Sequence, residues 1–254
     1  MKTKFTLLVL LLCFLISVNT VAQEKKIKDR SYLEASEVPN SLELLPPPPE
    51  ASSILFLYDK AQYDWGLLQR NTPRGDQAVQ DARVDGNGVP MAFSEAFGIE
   101  ITKENTPEIH KLVLNMREDA GDLATHHAKN YYMRVRPFSL FNQMTCNPEQ
   151  QQELSTNGSY PSGHTAIGWA TALVLAEINT DRQNEILKRG YEMGQSRVIC
   201  GYHFQSDVDA ARLVAGAVVA RLHANEAFMF QLKKAKEEFA KCQKAGKVKP
   251  SERK

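Results

Sequence analysis

The sequence predicts an all-α fold, because apolar residues recur at helical spacing in several long segments and no segment shows sustained period-two alternation. A rhythm of strand, helix and strand is also absent from the sequence, and no internal repeat is found. With 254 residues, of which 43% are hydrophobic and 24% charged, the chain can bury a substantial core. We therefore expect one helical domain over residues 51–243, with additional segments at both ends.

The first 22 residues are typical of an export signal. Two lysines are followed by an apolar run over residues 5–18 and by small residues up to Ala22, after which cleavage is expected. A transmembrane anchor is disfavoured because the run is short and no stop-transfer pattern follows it. A lipid anchor at Cys13 is disfavoured because that cysteine lies inside the run. The sequence thus predicts a periplasmic or secreted protein after removal of residues 1–22.

Residues 23–50 precede the helical domain and are mostly polar until a run of four prolines at positions 46–49. Consecutive prolines exclude a helix or a central strand and favour an extended polyproline conformation. Two interpretations fit this segment: an arm that lies over the domain, and a loose linker.

Within the domain, helical spacing of apolar residues predicts a series of helices in chain order. They cover residues 54–65, 109–116 with a continuation toward 128, 166–178, 208–222 and 228–242. The stretch 166–178 is almost continuously apolar, which predicts a helix buried on all sides. Pro107 is suited to the first turn of the second helix. Loops are predicted at residues 86–88, 138–158 and 190–201, and a basic flexible tail at residues 244–254.

Three clusters of polar residues carry the candidate chemistry, and the first is Lys129 with Arg136. The two are seven residues apart, so a helix that spans both would place their side chains on one face, and Pro137 would then end that helix. Two cations on one helix face are usually a solvated surface. This cluster is therefore informative only together with the other two.

The second cluster lies directly before the long apolar stretch and contains Pro161-Ser162-Gly163-His164. Serine and glycine at this place predict a helix N-terminus, whose free backbone N–H groups can bind an anion. Glycine also lets a phosphate approach the backbone closely. An ordinary helix cap followed by an unrelated histidine is the alternative.

The third cluster is Ser196-Arg197, followed by His203 and Asp207. His203 and Asp207 are four residues apart at the start of a helical stretch, where side chains at that spacing are neighbours. A carboxylate can accept a hydrogen bond from one imidazole nitrogen and leave the other nitrogen free to attack. A pair of this kind is also a common structural contact.

Together, the clusters supply three cations, an anion-binding helix N-terminus, two histidines and an orienting carboxylate. Phosphoryl transfer needs these groups, because its catalysis rests on positioning and on stabilising charge on the equatorial oxygens. One histidine can attack phosphorus and the other can protonate the leaving oxygen. The near balance of 31 basic and 30 acidic residues argues against a nucleic-acid binder, so the cations must act locally.

The order and spacing of the three clusters resemble the signature of the phosphatidic acid phosphatase type 2 superfamily, which includes the vanadium haloperoxidases. Within it, residues 44–241 closely resemble the class A bacterial non-specific acid phosphatases. The resemblance implies a compact helical bundle and an acid phosphatase that needs no cofactor or metal. It implies phosphomonoester substrates such as nucleotides, sugar phosphates and aryl phosphates, no stable membrane association, and a homodimer or larger homo-oligomer.

The resemblance also implies a role for each site residue. His203 would be the nucleophile that forms a phosphohistidine, Asp207 its partner and His164 the general acid. The phosphate oxygens would be held by Lys129, Arg136, Arg197, Ser162 and the Gly163 N–H. Vanadate is expected to inhibit, and alcohols or nucleosides are expected to compete with water for the phosphoryl group. Histidines of ordinary pKa, about 6.5, would give a bell-shaped pH profile on the acidic side of neutrality.

Three cysteines remain after the signal is removed, which fits one disulfide and one free thiol. Cys146 and Cys200 both fall in predicted loops beside the candidate clusters, so these two are expected to pair. Cys242 lies on a predicted helix face and is expected to be free.

Competing functions use parts of the same residue set. A metal hydrolase with His164, His203, Asp207 and Asp209 as ligands is disfavoured, because the nearby cations would repel a metal ion. A vanadium haloperoxidase would use the same anion site, but such chains are much longer, and a peroxide assay with bromide separates the two. A periplasmic phosphate- or nucleotide-binding protein would need the cations without a nucleophile, an acid and an orienting carboxylate.

Overall fold

The computed structural model describes residues 31–251, and it confirms the predicted all-α fold: no strand occurs within this range. The predicted signal peptide and residues 23–30 lie outside the described residues. In chain order the α-helices are α1 Ser41–Leu44, α2 Ile54–Gln69, α3 Pro73–Asp81, α4 Gly88–Phe97, α5 Pro107–Glu118, α6 Ala124–Tyr132, α7 Pro137–Leu140, α8 Gln151–Leu154, α9 Gly163–Ile178, α10 Gln183–Ile199, α11 Gln205–Leu222 and α12 Glu226–Lys244. A π-helical turn, Asp119–Leu123, joins α5 to α6, and 3₁₀ turns cover Pro148–Gln150 and Thr180–Arg182.

Helix α9 forms the centre of the bundle, as its continuous apolar sequence predicts. It packs against α10 and α11 along most of its length, and the π-helical turn and α5 also contact it. Ser162 caps its N-terminus, since the Ser162 Oγ accepts a hydrogen bond from the backbone N–H of Thr165 at 3.3 Å. The N-terminus of this buried helix is therefore capped by a buried side chain, that of Ser162.

Helix α10 corrects the prediction of a loop at residues 190–201. Gly190, where the predicted loop begins, lies inside a helix that continues to Ile199, and Gly201 follows that helix with a positive φ of 76°. A Cβ atom built at Gly190 would stand 2.4 Å from the Cβ of Ala172 on α9, which no real packing allows. Glycine is needed here for the close approach of two helices rather than for a turn.

Helix α2 matches the predicted helix, but its apolar stripe does not face the core. Leu57 and Leu68 are 66% and 76% exposed, whereas the buried residues of the helix are Asp59, Tyr63 and Gly66. Gly66 lets α2 pack directly on the backbone of α10, where an added Cβ would approach the Val198 carbonyl oxygen to 2.9 Å. The outer face of α2 is thus an exposed apolar surface.

Residues 31–50 pack onto the helices, which favours the arm over the loose linker. Leu33, Val38 and Leu45 are buried members of the main hydrophobic core. The carboxylate of Asp119 accepts hydrogen bonds from the backbone N–H groups of Tyr32 and Leu33 at 3.0 and 2.9 Å. The predicted boundary at residue 51 is therefore not a boundary of the core.

The chain beyond α12 also differs from the predicted flexible tail. Val248 packs against the core, and the Lys249 N–H donates to the Gly98 carbonyl at 2.8 Å. Arg182 donates to the Pro250 carbonyl at 2.5 Å. These contacts hold residues 248–250 on the domain, because an apolar side chain and two backbone groups find partners there.

Cys146 and Cys200 are joined by a disulfide with a Cα–Cα distance of 4.8 Å, and Cys242 is free. The bridge ties the segment between α7 and α9 to the end of α10. No single helix within residues 31–251 is long and apolar enough to cross a membrane, although α11 and α12, bent by 93°, meet that length and composition as a pair.

Candidate active site

The predicted site residues converge where several helices begin or end. Lys129 lies in the last turn of α6 and Arg197 in the last turn of α10. Asp207 lies in the first turn of α11, and Gly163 opens α9. A backbone hydrogen bond from the Ser162 N–H to the Asp207 carbonyl, 3.1 Å long, joins the second cluster to the third.

The spacing of Lys129 and Arg136 does not arise from one continuous helix. Helix α6 ends at Tyr132, and Met133 adopts a left-handed φ of 41°. Arg136 follows in extended conformation, and Pro137 begins α7 rather than ending α6. The two cations still meet, because Lys129 Nζ and Arg136 Nη2 both donate to the Gly158 carbonyl, at 3.1 and 3.4 Å.

Burial weakens the protonation of both cations. Lys129 is 7% exposed and Arg136 only 3%. Loss of hydration, with the charge of Arg136 in addition, lowers the pKa of Lys129 to about 7. Burial likewise lowers the pKa of Arg136 to about 10. The charge of Asp207 offsets only part of this cost, and a bound anion would offset more of it by adding negative charge beside both cations.

Arg197 is the most poorly satisfied of the three cations. Its guanidinium is 1% exposed and lies 4.0 Å above the ring of Tyr202. Its Nε and Nη1 atoms are buried and have no hydrogen-bond partner among the described residues. Burial lowers its pKa to about 9. Buried donors without partners need an explanation, and an anion that completes their hydrogen bonds provides one.

The N-terminus of α9 presents backbone donors to the same place. A Cβ atom built at Gly163 would meet no protein atom closer than Thr125 Oγ1 at 3.7 Å, so packing does not require glycine here. Close approach of a ligand to the Gly163 N–H does require it. Ser162 is fully buried and its Oγ accepts from Thr165, which leaves the Ser162 hydroxyl hydrogen free to donate.

The hydrogen bonds of His203 assign its tautomer. Arg136 Nη1 lies 3.0 Å from His203 Nε2, and a guanidinium can only donate, so Nε2 carries the lone pair. The proton therefore sits on Nδ1, which is 3.2 Å from Ser159 Oγ and 3.4 Å from Asp207 Oδ2. His203 precedes α11 instead of lying on it, so the four-residue spacing acts through a turn. A free Nε2 lone pair is what a nucleophilic imidazole needs.

Asp207 is fully buried and its oxygens are fully occupied. Oδ1 accepts from Arg134 Nη1 at 2.5 Å, and Oδ2 accepts from Ser159 Oγ at 2.6 Å and from the Phe204 N–H at 2.8 Å. Burial alone would raise the pKa of Asp207, but the charge of Arg134 and the hydrogen bonds outweigh it, and the pKa lies well below its usual range. Asp207 is thus a stable carboxylate.

His164 lies half-buried beside the cations. Its Nε2 is 3.2 Å from the Ala82 carbonyl, which can only accept, so Nε2 carries a proton and Nδ1 is the atom free for exchange. Burial, and then the charge of Arg197, place the pKa of His164 well below its usual value. Burial and Arg136 do the same to His203. Both histidines are therefore more acidic than the ordinary values assumed from the sequence.

A cavity of about 260 Å³ opens beside His164. Its lining includes Gly163 and His164 together with the acidic residues Asp85, Glu118 and Asp122. Within residues 31–251, no three histidine, cysteine or acidic side chains converge as a metal site would require.

The sequence did not identify the side chains that hydrogen-bond to the predicted site residues and hold them in position. Arg134 and Ser159 lie within the segments already singled out, but neither spacing nor residue type distinguishes them there. Asp59 pairs with Arg134 from α2, and Asp81 accepts from Ser196 Oγ at 2.6 Å. An acidic residue at a buried helix position is a weak signal, and it gives no indication of its partner.

Comparison with known proteins adds a family context. A family model described as the PAP2 superfamily matches residues 120–229. The chain is 64% identical over 216 residues to a non-specific acid phosphatase of Providencia stuartii, covering 85% of this chain and 87% of that protein. It is 47% identical over 199 residues to the non-specific acid phosphatase of Salmonella typhimurium, covering 78% and 80%. An acid phosphatase of Zymomonas mobilis is 34% identical over 78% of this chain and 75% of its own length.

Proposed function

The chain belongs to the PAP2 superfamily, among its non-specific acid phosphatases, and from this premise we propose that it hydrolyses phosphomonoesters through a phosphohistidine on His203. The observation that carries the proposal is the tautomer of His203, whose Nε2 lone pair faces the buried Arg136, with the charge of the buried Lys129 also acting on the ring. A protein that only bound phosphate would not need Nδ1 held by Asp207 and Ser159. The resting arrangement is therefore that of a nucleophile.

The first step joins His203 Nε2 to phosphorus and breaks the bond from phosphorus to the leaving oxygen. Arg136, which donates to Nε2 in the ligand-free site, would turn its Nη1 to a phosphate oxygen. Lys129, Arg197, Ser162 and the Gly163 N–H hold the remaining charge on the equatorial oxygens. Asp207 stabilises the positive charge that develops on the imidazole, because its carboxylate stays ionised.

The leaving oxygen needs a proton, and His164 is the group placed to give it. Because the pKa of His164 is low in the ligand-free site, this proton must come with the substrate. A phosphomonoester monoanion, whose second ionisation lies at about pH 6, brings one. It passes to His164 Nδ1 and on to the leaving alcohol, and the phosphohistidine keeps the charge of the monoanion. Water then attacks phosphorus and gives a proton to His164, and the bond from phosphorus to His203 Nε2 breaks. The proton passes from His164 to the departing phosphate, which leaves as a monoanion and restores both histidines.

This route explains activity in acid. The lowered pKa of His203 keeps its lone pair available at pH values where an exposed histidine would be protonated. Above about pH 6 the substrate monoanion disappears, and above about pH 7 Lys129 loses its charge in the ligand-free site. The profile of kcat/KM should thus be a bell on the acidic side of neutrality. A rate that rises steadily into alkaline pH would contradict these roles.

The stereochemical course at phosphorus tests the intermediate. Two successive in-line displacements give retention with a chiral phosphomonoester, and His203→Ala should abolish turnover. An alcohol or nucleoside at high concentration should also receive the phosphoryl group, which makes the enzyme a phosphotransferase. Inversion at phosphorus would mean direct attack by water and would remove the phosphohistidine from the mechanism.

Charge at the site is supplied by side chains, and we expect no metal requirement. Dialysis against a chelator should leave hydrolysis of p-nitrophenyl phosphate unchanged, and vanadate should inhibit by occupying the site of the phosphoryl group. Activity that is lost on chelation and restored by zinc or magnesium would overturn this part of the proposal.

Location and assembly are part of the same proposal. Cleavage after Ala22 would release the enzyme to the periplasm or medium, which amino-terminal sequencing of the exported protein tests. The exposed apolar face of α2 supports a homodimer or larger homo-oligomer, with a second copy covering Leu57 and Leu68. Light scattering should show a mass above one chain, and Leu57→Glu with Leu68→Glu should reduce it to a monomer.

A further inference from the structure

Arg134 joins two buried carboxylates, only one of which belongs to the site described above. Its Nη1 donates to Asp207 Oδ1 at 2.5 Å and its Nη2 donates to Asp59 Oδ2 at 2.7 Å. The Arg134 side chain is 9% exposed, and both carboxylates are fully buried. The guanidinium also lies 4.4 Å from the ring centre of Phe204. Arg134 is therefore held by two charges and a ring.

Asp59 is also bound by Ser206, whose hydroxyl in turn accepts a hydrogen bond from Arg134 Nη1 at 2.8 Å. Its Oδ1 accepts from the Ser206 N–H at 2.8 Å, and its Oδ2 accepts from Ser206 Oγ at 2.6 Å. Ser206 lies in the first turn of α11, one residue before Asp207. Asp59 thus binds both the helix turn that carries Asp207 and the arginine that neutralises it.

We propose that Arg134 is a positioning residue which, anchored by Asp59, keeps Asp207 ionised and immobile and so keeps His203 in its attacking tautomer at acidic pH. The inference rests on the proposed function, since it assigns a device to the same nucleophile. Arg134 donates to Asp207, Asp59 and Ser206 and has no hydrogen bond to His203, so it reaches the nucleophile through Asp207.

The charges around Asp207 show why Arg134 matters most in acid. A buried carboxylate without a close cation would take up a proton at moderately acidic pH, and Arg134 opposes this. A protonated Asp207 no longer stabilises a positive imidazole, and attack by Nε2 slows. The other titratable or charged groups that interact with Asp207 are His203, Lys129, Arg136 and Tyr160. None of these donates a hydrogen bond to Oδ1, which is Arg134's own contact.

The test is the dependence of kcat/KM on pH, measured with p-nitrophenyl phosphate on the enzyme from which the predicted signal peptide has been removed. Arg134→Met should move the acid limb of kcat/KM toward neutral pH, so that the loss relative to wild type is about tenfold larger at pH 5 than at pH 7. A tenfold difference requires that the pKa of Asp207 in the variant lies about one unit above pH 5. KM at pH 7 should change little, because Arg134 does not contact the phosphate. Arg134→Lys should restore the acid limb but not the full kcat, because one ammonium cannot bind both carboxylates in the geometry of a guanidinium.

Asp59→Asn tests the anchoring of Arg134 separately from the effect of the Arg134 charge on Asp207. The amide oxygen can still accept from the Ser206 N–H, and Arg134 stays beside Asp207. We expect kcat to fall while the acid limb keeps its wild-type position. Arg221→Met is the matched control for loss of one arginine, since Arg221 pairs with Glu37 at the surface, and it should keep the wild-type profile.

The outcomes are distinguishable. Turnover that survives in His203→Ala overturns the proposed function itself. An inactive His203→Ala together with an Arg134→Met profile that runs parallel to wild type at every pH overturns the positioning role and leaves Arg134 structural. Should Arg134→Met fail to fold, Arg134→Lys and Asp59→Asn decide: wild-type kcat in both would refute the proposal.

Discussion

Asp207 and Arg197 are both charged and both buried in the candidate active site, yet their surroundings differ. Asp207 accepts three short hydrogen bonds and faces His203 as well. Arg197 stacks on Tyr202 and has two buried nitrogen atoms without a hydrogen-bond partner among the described residues. The carboxylate has its full set of protein donors, whereas the guanidinium keeps unused donors, which its proposed role in binding the phosphate requires.

The difference separates two tasks of a phosphoryl-transfer site. Orientation of the nucleophile must not change during the reaction, so its partner is held by protein donors from several segments. Anion binding gains most when the donors have no protein partner to exchange, because binding then supplies hydrogen bonds that the free enzyme lacks. Substitutions on the two sides should therefore have different signatures.

The largest effect is expected on the Asp207 side. Asp207→Asn should lower kcat by roughly 10³–10⁴-fold, because an amide disturbs the tautomer of His203. Inhibition by inorganic phosphate should change little, since Asp207 does not face the anion. If Asp207→Asn instead weakened phosphate binding and left kcat nearly normal, orientation of His203 and binding of the anion would not be separate tasks.

The Arg197 side should behave in the opposite way. Arg197→Met should lower kcat/KM by about 10²–10³-fold and weaken inhibition by phosphate, because it removes donors to the transferring group. It should also raise the thermal midpoint of the ligand-free enzyme, since a buried charge without partners is costly. Phosphate should stabilise the wild type against heat more than this variant, and equal stabilisation of both would contradict the assignment.

The role of His164 can be tested by comparing substrates whose leaving groups differ in their need for a proton. His164→Ala should reduce hydrolysis of alkyl phosphates by about 10²–10⁴-fold, because a poor leaving alcohol needs a proton. Hydrolysis of p-nitrophenyl phosphate, whose leaving group needs no proton, should fall much less. Equal losses for both substrates would assign His164 to binding alone.

Protonation of Lys129 should make anion binding depend on pH. The pKa of Lys129 is lowered to about 7 in the free site, so the side chain is charged below that pH and neutral above it. Binding of sulfate, which stays dianionic from pH 5 to 9, should weaken as the pH rises through about 7. Lys129→Gln should bind sulfate more weakly at pH 5 and lose this dependence. An identical pH dependence in the two proteins would assign the titration to another group.

The smallest effect on catalysis is expected from the disulfide. Its span of 54 residues gives about 4 kcal/mol of stabilisation in the chain-entropy model. Cys146→Ala with Cys200→Ala should lower the denaturant midpoint while kcat stays near wild type, because neither cysteine touches the anion site. Alkylation without reduction, followed by peptide mapping, should find the label on Cys242 and not on Cys146 or Cys200.

The sequence predicted those parts of the molecule that local spacing encodes. Helical periodicity predicted α9 and its burial, and Ser162 followed by Gly163 predicted where that helix begins. Lys129, Arg136, Arg197 and His203 were identified by their order and spacing. Local patterns were misleading where a residue type has two uses: the loop predicted to begin at Gly190 is a helix in which that glycine serves packing, and the apolar stripe of α2 faces outward.

By itself the sequence determined the all-α class, the helix N-terminus that faces the anion and the chemical groups available to the site, because periodicity, capping and residue type act over a few neighbouring positions. The tertiary structure alone decided which charges neutralise one another. Asp59 and Arg134 are 75 positions apart, and Asp59 and Ser206 are 147 apart, so no local pattern relates them. Their pairing follows from packing α2 against α11, which brings Asp59 to Ser206 and sets Arg134 between Asp59 and Asp207, because buried charges are stable only beside partners.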